Sequence, residues 1–571
     1  MSRQHSWLRL AGACVLFAAC GPVGEPEVVT SEAESSGVEA PSVPRTEALE
    51  VASDSSGCAC QPPILVSKRP PHPDGPAAGT FFALNGRLLS FTTQDTLGGA
   101  LWALVEREDA GCGEPTWDTL LLKHGFVRLL LAQDFAIAGR TLYFTANDEV
   151  HGFELWKTDG TPEGTVLVKD IIQAQGGGSM PRDFFLVGET LYFTAEDGVH
   201  GRELWKSDGT ARGTRLVEDI RPGPVGSEPF GMVRVGEQSI LFTADDGSHG
   251  REPWRSDGTR RGTRLIEDIH PGPEGSEPSS LSVVAPHLVL FTADDGEHGR
   301  ELWKSDGTPG GTRLVEDIRP GPEGSNRLEY FSTRFTVVGP RLYFSADDGE
   351  HGQELWKSDG TPGGTRLVED IRPGPEGSVP AGLKPLGGQL FFSADDGTHG
   401  REPWRSDGTA SGTLLLADVF PGTGSSSPSG FPAPGRVFFY ATSPDFGQEL
   451  WATDGSRKGT HLVKDIRPGP ASAFPRYPSD PIPVDGGLIF SAFTDEHGDE
   501  PWWTDGTREG TSMMELFPGP TSSTPFEFMR VGEWVYFTAD AGVHDWEVWA
   551  LPVACFPKTG GREALRTRGP W

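Results

Sequence analysis

Ten tryptophans recur along this chain at an almost fixed interval: Trp102, Trp156, Trp205, Trp254, Trp303, Trp356, Trp404, Trp451, Trp502 and Trp549, separated by 47 to 54 residues. A repeat constrains a fold more than local propensity does, because every unit must make the same structure and bury its faces on its neighbours. A period near ~50 residues is that of propeller blades, well above leucine-rich or ankyrin units. In the unit that begins near Val379, four short segments, GLKPLGG, QLFFSADD, REPWRSDG and TLLLADV, carry β-branched or aromatic residues. Gly-Gly, Asp-Gly-x-His-Gly and Asp-Gly-Thr separate them and supply the backbone freedom and side-chain bonds of tight turns. This pattern predicts four antiparallel strands per unit. The link RPGPEGSVP is proline-rich, refuses ladder bonds and suits a crossover from one blade's outer edge to the next blade. The expected fold is all-β, a β-propeller of about ten four-stranded blades; the spacing leaves two smaller propellers or an open arc as alternatives.

The two ends complement each other. The last unit stops after WEVWALPVACF and lacks its fourth segment, while Ile64 to Val66 stands where TRLVEDI stands elsewhere and precedes the first unit. The N-terminal strand is therefore expected to complete the last blade, leaving no open sheet edge. The cysteines fit that closure: Cys58 and Cys60 flank the orphan strand and Cys555 follows the last one. A bond from Cys555 to Cys58 or to Cys60 would staple the ring, and the remaining cysteine could reach Cys112 in the first unit. A cross-link between ends so far apart contributes roughly 4 to 6 kcal/mol.

Residues 1–19 read as a signal peptide: Arg3 and Arg9, then a short apolar core from Leu10 to Phe17, then Ala18-Ala19 before Cys20. Cys20 after two small residues matches the lipobox context of bacterial lipoproteins and is the expected lipidation site, with Phe17 departing from the usual leucine and plain secretion as the alternative. The expected location is the cell envelope, as an outer-membrane lipoprotein, with the membrane as a partner through the anchor. Residues 20–60 are rich in Glu, Ser, Pro and Gly without a period, the composition of a disordered tether with a reach on the order of 35 Å. Residues 61–555 form the repeat propeller, and 556–571 a C-terminal tail.

The net charge of −32 is spread along the chain, which argues against nucleic acid as a partner, since phosphate backbones are bound by clustered Lys and Arg. No P-loop, dinucleotide glycine fingerprint, HExxH or GxSxG occurs. Histidine recurs at one place in eight units, His151, His200, His249, His298, His351, His399, His497 and His544, and such copying suits a turn better than a catalytic base. Asp246, Asp295, Asp348 and Asp396 lead into these turns and are the weak calcium candidates, one turn offering few of the six to eight oxygens that calcium takes. Asp208, Asp257, Asp306, Asp359 and Asp407 are expected to cap the Asp-Gly-Thr turns. The ten repeat tryptophans are expected to pack between blades, whereas Trp117, Trp503 and Trp546 lie off the repeat position and are candidates for an aromatic sugar-binding shelf. No catalytic residue, resident metal or cofactor is assigned.

ELWKTDGT at Glu154, ELWKSDGT at Glu203, Glu301 and Glu354, and EPWRSDGT at Glu252 and Glu402 resemble the ELWxxDGT repeat family of bacterial exported proteins. The likeness covers nearly all of residues 61 to 555 and departs at GALWALVE, at ELWATDGS from Glu449, at EPWWTDGT from Glu500 and at WEVWALPV. It implies a surface repeat protein without an assigned reaction. The expected function is a non-catalytic binding or scaffold module for a protein or polysaccharide. An exported glycan-active lyase or hydrolase with its site at the channel mouth is one alternative, and a calcium-stabilised structural protein is another.

Overall fold

The segment Arg341–Asp347, RLYFSAD, is apolar on both faces, and all of Leu342 to Ala346 are buried. A strand covered on both sides reads as a continuous apolar run instead of an alternating one. Thr336–Val338 pairs with it on one side and Gln353–Ser358 on the other, and Arg366–Glu369 completes the sheet, all antiparallel. The computed structural model describes residues 63–67, 81–95, 98–107, 116–129, 135–173, 177–326, 335–474, 480–540 and 546–556, and within them this sheet occurs ten times as a β-propeller. Blades 1 to 10 are numbered here by the tryptophans in chain order. Blade 2 carries one extra short strand, Arg128–Leu129, on its second strand. No α-helix is found among the described residues.

The hydrophobic core is divided into pieces, one set at each junction between blades. Leu290, Leu302, Val315 and Ile318 of blade 5 pack against Leu342, Phe344, Ala346 and Trp356 of blade 6. Tyr343, Leu355 and Val368 of blade 6 in turn meet Leu390, Phe392 and Trp404 of blade 7. The Leu-Trp pair of the repeat thus sends Trp356 to the preceding blade and Leu355 to the following one, as period-two alternation dictates. The same division joins blades 1 and 2, 8 and 9, and 9 and 10.

Phe81, Leu88 and Leu104 of blade 1 pack on Val531, Tyr536, Val548 and Ala550 of blade 10, so the ring is single and closed. Ile64–Ser67 pairs antiparallel with Trp546–Pro552, the last strand of the chain, and Val66 joins the apolar cluster of that junction. At the same seam the Trp117 indole lies edge-on to Trp534 at 5.0 Å and donates to the Tyr536 hydroxyl at 3.1 Å, while Trp534 donates to Glu106 at 3.0 Å. Trp117 is therefore a seam residue and not a shelf. Trp503 corrects the expectation too: it is buried and stacked on Phe556 at 5.7 Å, because blade 10 covers the face on which its off-repeat position places it. The side chain of Trp546, together with Cys20, Cys58, Cys60, Cys112 and His544, lies outside the described residues. Cys555 closes a short 3-10 turn, Val553–Cys555, directly after the last strand.

Antiparallel order places the turns between second and third strands, Asp-Asp-Gly-x-His-Gly in the regular units, and the crossovers at one end of a blade, and the turns after the third strand, Asp-Gly-Thr in most units, at the other. These two ends form the crossover face and the Asp-Gly-Thr face.

Candidate functional site

The first letter of the repeated Glu-Leu-Trp or Glu-Pro-Trp word is the most deeply buried charged position among the described residues. Glu154, Glu203, Glu252, Glu301, Glu354, Glu402, Glu449 and Glu500 have no exposed surface. Each sits on a third strand beside the crossover that leaves its own blade. In blade 6 the Glu354 carboxylate accepts the Arg372 N–H at 2.9 Å, the Ser378 N–H at 2.8 Å and the Ser378 hydroxyl at 2.5 Å. Blades 3, 4, 5 and 7 repeat the arrangement with Ser227, Ser276, Ser325 and Ser426. The serine carbonyl then accepts the N–H of Asp395, at the end of the next blade's second strand, at 3.0 Å. One carboxylate therefore links its strand, the crossover and the neighbouring blade, satisfying backbone donors that burial would otherwise orphan. Sequence reasoning missed this residue, because an acid in a charged octapeptide reads as surface; the signal was the serine recurring 24 residues later.

The crossover passes close enough to the blade to exclude side chains. A Cβ on Gly352, in the His-Gly turn, would lie 2.6 Å from the Gly377 nitrogen of the Glu-Gly-Ser link. The residue after the clasped serine is left-handed even without being glycine: Met180, Glu228, Glu277, Val379, Ser427 and Thr524 have φ between 45° and 49°. The conformation costs on the order of 1 kcal/mol for an L-residue and is held by an N–H bond back to the third strand, as from Val379 to the Gln353 carbonyl at 2.9 Å.

The aspartate turns use up the proposed calcium ligands. Asp246 Oδ1 accepts the N–H groups of Ser248 and His249 at 2.8 and 2.9 Å, and its Oδ2 meets His249 Nδ1 at 2.7 Å. Asp295, Asp348 and Asp396 pair in the same way with His298, His351 and His399. Both oxygens of all four carboxylates are thus engaged within their own turns, and the described residues contain no metal-ligating cluster. Arg221, Arg319, Arg372 and Arg467 cross to the adjacent turns and pair with Asp245, Asp347, Asp395 and Asp495. His497 departs from the pattern and pairs with Glu515. On the other face Asp208 Oδ1 accepts the Thr210 N–H and hydroxyl at 2.9 and 2.7 Å, the expected cap, repeated at Asp257, Asp306, Asp359 and Asp407.

These environments shift titrations in opposite directions. Burial pushes Glu203, Glu301 and Glu354 up to about 7, and Glu449, whose crossover has Ala473 in place of serine, up to about 8. The bond to Asp246 raises His249. Burial works against the charge of Asp246, but the N–H groups and imidazole of His249 outweigh it and hold that carboxyl below its ordinary value. A raised folded value gives stability that is full below the unfolded value, near 4.5 for Glu and 6.5 for His, and is lost as pH rises through the folded one. A lowered Asp gives stability present above 3.8 and lost as pH falls. Thermal stability should therefore peak at about pH 4 to 5 and decline toward pH 8, as differential scanning calorimetry across that range would read; a melting temperature that rises from pH 6 to pH 8 would contradict the buried-glutamate account.

No family model matches the chain and no curated protein matches it. Solved structures show a distant likeness. A puromycin hydrolase is 14% identical with a TM-score of 0.30, covering 63% of this chain and 58% of its own. A Mycobacterium tuberculosis puromycin-hydrolyzing peptidase is 12% identical with a TM-score of 0.30, covering 66% and 61%. A structure from a study of two prolyl endopeptidases is 16% identical with a TM-score of 0.30, covering 65% and 52%. The aligned part thus spans between about half and three-fifths of those proteins.

Proposed function

We propose that the protein is an exported module of the ELWxxDGT kind, anchored through Cys20 at the outer membrane, whose propeller binds a protein or polysaccharide without catalysis. The observation that carries the reading is on the crossover face of blades 2 to 4. Val150, Val199, Val225 and Phe230 are 65, 63, 62 and 64% exposed there. The turn position of Val150 and Val199 holds Ser248, Glu297, Glu350 and Thr398 in blades 4 to 7 and valine again, Val543, in blade 10, and that of Val225 holds Glu274, Glu323 and Glu376 after blades 4 to 6. Large apolar side chains in solvent on one arc of one face, where the next blades carry polar ones at the valine positions, fit a protein-binding surface. The clasped serines and paired aspartates serve the ring, so the residues that differ between blades are the ones free to recognise a partner.

The test is capture from envelope extract, alongside a glycan array, with residues 58–571 and with a variant carrying V150S, V199S, V225S and F230S. The expected result is a partner retained by the first protein and lost by the second at unchanged melting temperature. Equal capture by both would refute this surface, and turnover of any captured glycan would refute the non-catalytic reading.

A further inference from the structure

The opposite face carries a different feature. A cleft of about 330 Å³ opens at the Asp-Gly-Thr turn of blade 3, lined by Lys206, Arg212, Arg215, Thr190, Thr210 and Asp208 among others. Its volume is at the lower end of small-molecule sites, roughly 300 to 1,000 Å³. In a chain of net charge −32 it gathers three cations against one carboxylate, and Asp208 already spends Oδ1 on its own turn.

The lysine is the informative member. Its counterparts are absorbed into the blade junctions: Lys157 donates to the Gly209 carbonyl at 2.8 Å, Lys304 to that of Gly360 at 2.6 Å, and Lys357 to that of Gly408. Lys206 stands beside Gly258, where an added Cβ would lie 3.2 Å from its ammonium. Among the described residues no ion pair or hydrogen bond engages the side chains of Lys206, Arg212 or Arg215. Burial lowers the Lys206 titration and the adjacent Arg215 lowers it further, which Asp257 and Asp208 offset only in part, and a shared anion would relieve the remainder. Blades 5 and 6 hold glycine, Gly310 and Gly363, where blade 3 has Arg212; blade 4 repeats the cations as Arg255, Arg261 and Arg264, but there Arg255 donates to the Gly307 carbonyl and the Ser239 hydroxyl.

We infer that this cleft binds a short segment of acidic polysaccharide, with Lys206, Arg212 and Arg215 on its anionic groups and the Thr190 hydroxyl on the sugar. The inference goes beyond the partner surface of the crossover face, and either can fail alone. Hydroxyls and cations line the cleft without an aromatic side chain for a base to stack on, which favours sugars over single-stranded nucleic acid. The surrounding negative charge repels long, densely charged chains and tolerates a short one whose charges are spaced by sugars.

Isothermal titration of the full chain with oligogalacturonate, a heparin-derived oligosaccharide and a phosphorylated oligosaccharide separates carboxylate, sulfate and phosphate as the source of the anion. A neutral oligosaccharide and a DNA oligonucleotide serve as controls. The expected result is salt-dependent binding of at least one acidic glycan, weakened on the order of tenfold by K206Q and more by R212Q with R215Q, with melting temperatures unchanged and the neutral sugar silent. V150S, V199S, V225S and F230S together should leave this affinity as it was. Acidic-glycan affinity unchanged in the K206Q and R212Q/R215Q proteins would overturn the site, as would tighter binding of the DNA oligonucleotide or no binding of any acidic glycan.

Discussion

Removing residues 1–67 should open the ring. Trp546–Pro552 would then present an unpaired edge, and the junction of blades 10 and 1 would lose Val66. Three half-buried aliphatic side chains, Ile64, Leu65 and Val66, and their ladder bonds go with the strand, a loss on the order of 5 kcal/mol. It falls at the one junction that no chain connection other than this strand secures. The shortened protein is expected to unfold at lower temperature in more than one step, and to self-associate through the bared strand, as exposed edges do. Calorimetry and size-exclusion chromatography read both effects. A synthetic peptide of residues 61–69 added to the shortened chain should restore a single transition. A monomeric protein with wild-type melting behaviour would show that the closing strand is dispensable.

Glu354→Ala should be the most damaging single substitution in blade 6. It leaves the N–H groups of Arg372 and Ser378 and the Ser378 hydroxyl without their acceptor in a dry site, and it opens a cavity. Each buried donor left unpaired costs about 1 to 3 kcal/mol, and the sum is on the order of 4 kcal/mol. Glu354→Gln keeps an oxygen for the two N–H groups and carries no titrating proton, so it should cost about 1 kcal/mol and make the decline in stability toward pH 8 shallower. Denaturant unfolding of both variants at pH 6 and pH 8 gives the comparison. An alanine variant as stable as the glutamine variant would mean that the clasp does not hold the crossover.

The architecture was legible because each unit states it locally. The continuous apolar run in RLYFSAD, the Asp-Gly-Thr cap and the unmatched strand at Ile64 are short-range signals, and ten copies remove the ambiguity of any one. What was not legible depended on distance. Glu354 meets its serine 24 residues on, across a proline-rich link, and nothing in the octapeptide shows that its carboxylate faces inward. Asp246 could be read equally as a turn acid or a calcium ligand, and only the position of His249 Nδ1 assigns its second oxygen. Trp503 misled because its cover, Phe556, comes from the far end of the last blade. The cleft of blade 3 was hidden for a similar reason, since Lys206 looks identical to Lys304 until the next blade's glycine is in place.

The closing strand has a consequence for how such a gene can change. Among the described residues each blade packs on its immediate neighbours, and the strand that completes the last blade lies outside the run of near-identical units. Blades 5 and 6 differ by one residue across HGRELWKSDGTPGGTRLVEDIRPGPEGS and HGQELWKSDGTPGGTRLVEDIRPGPEGS. Recombination between such stretches deletes or duplicates a whole unit while leaving the latch at both termini untouched. The diameter of the ring is therefore a heritable trait separable from its seal, limited only by how far each junction can bend.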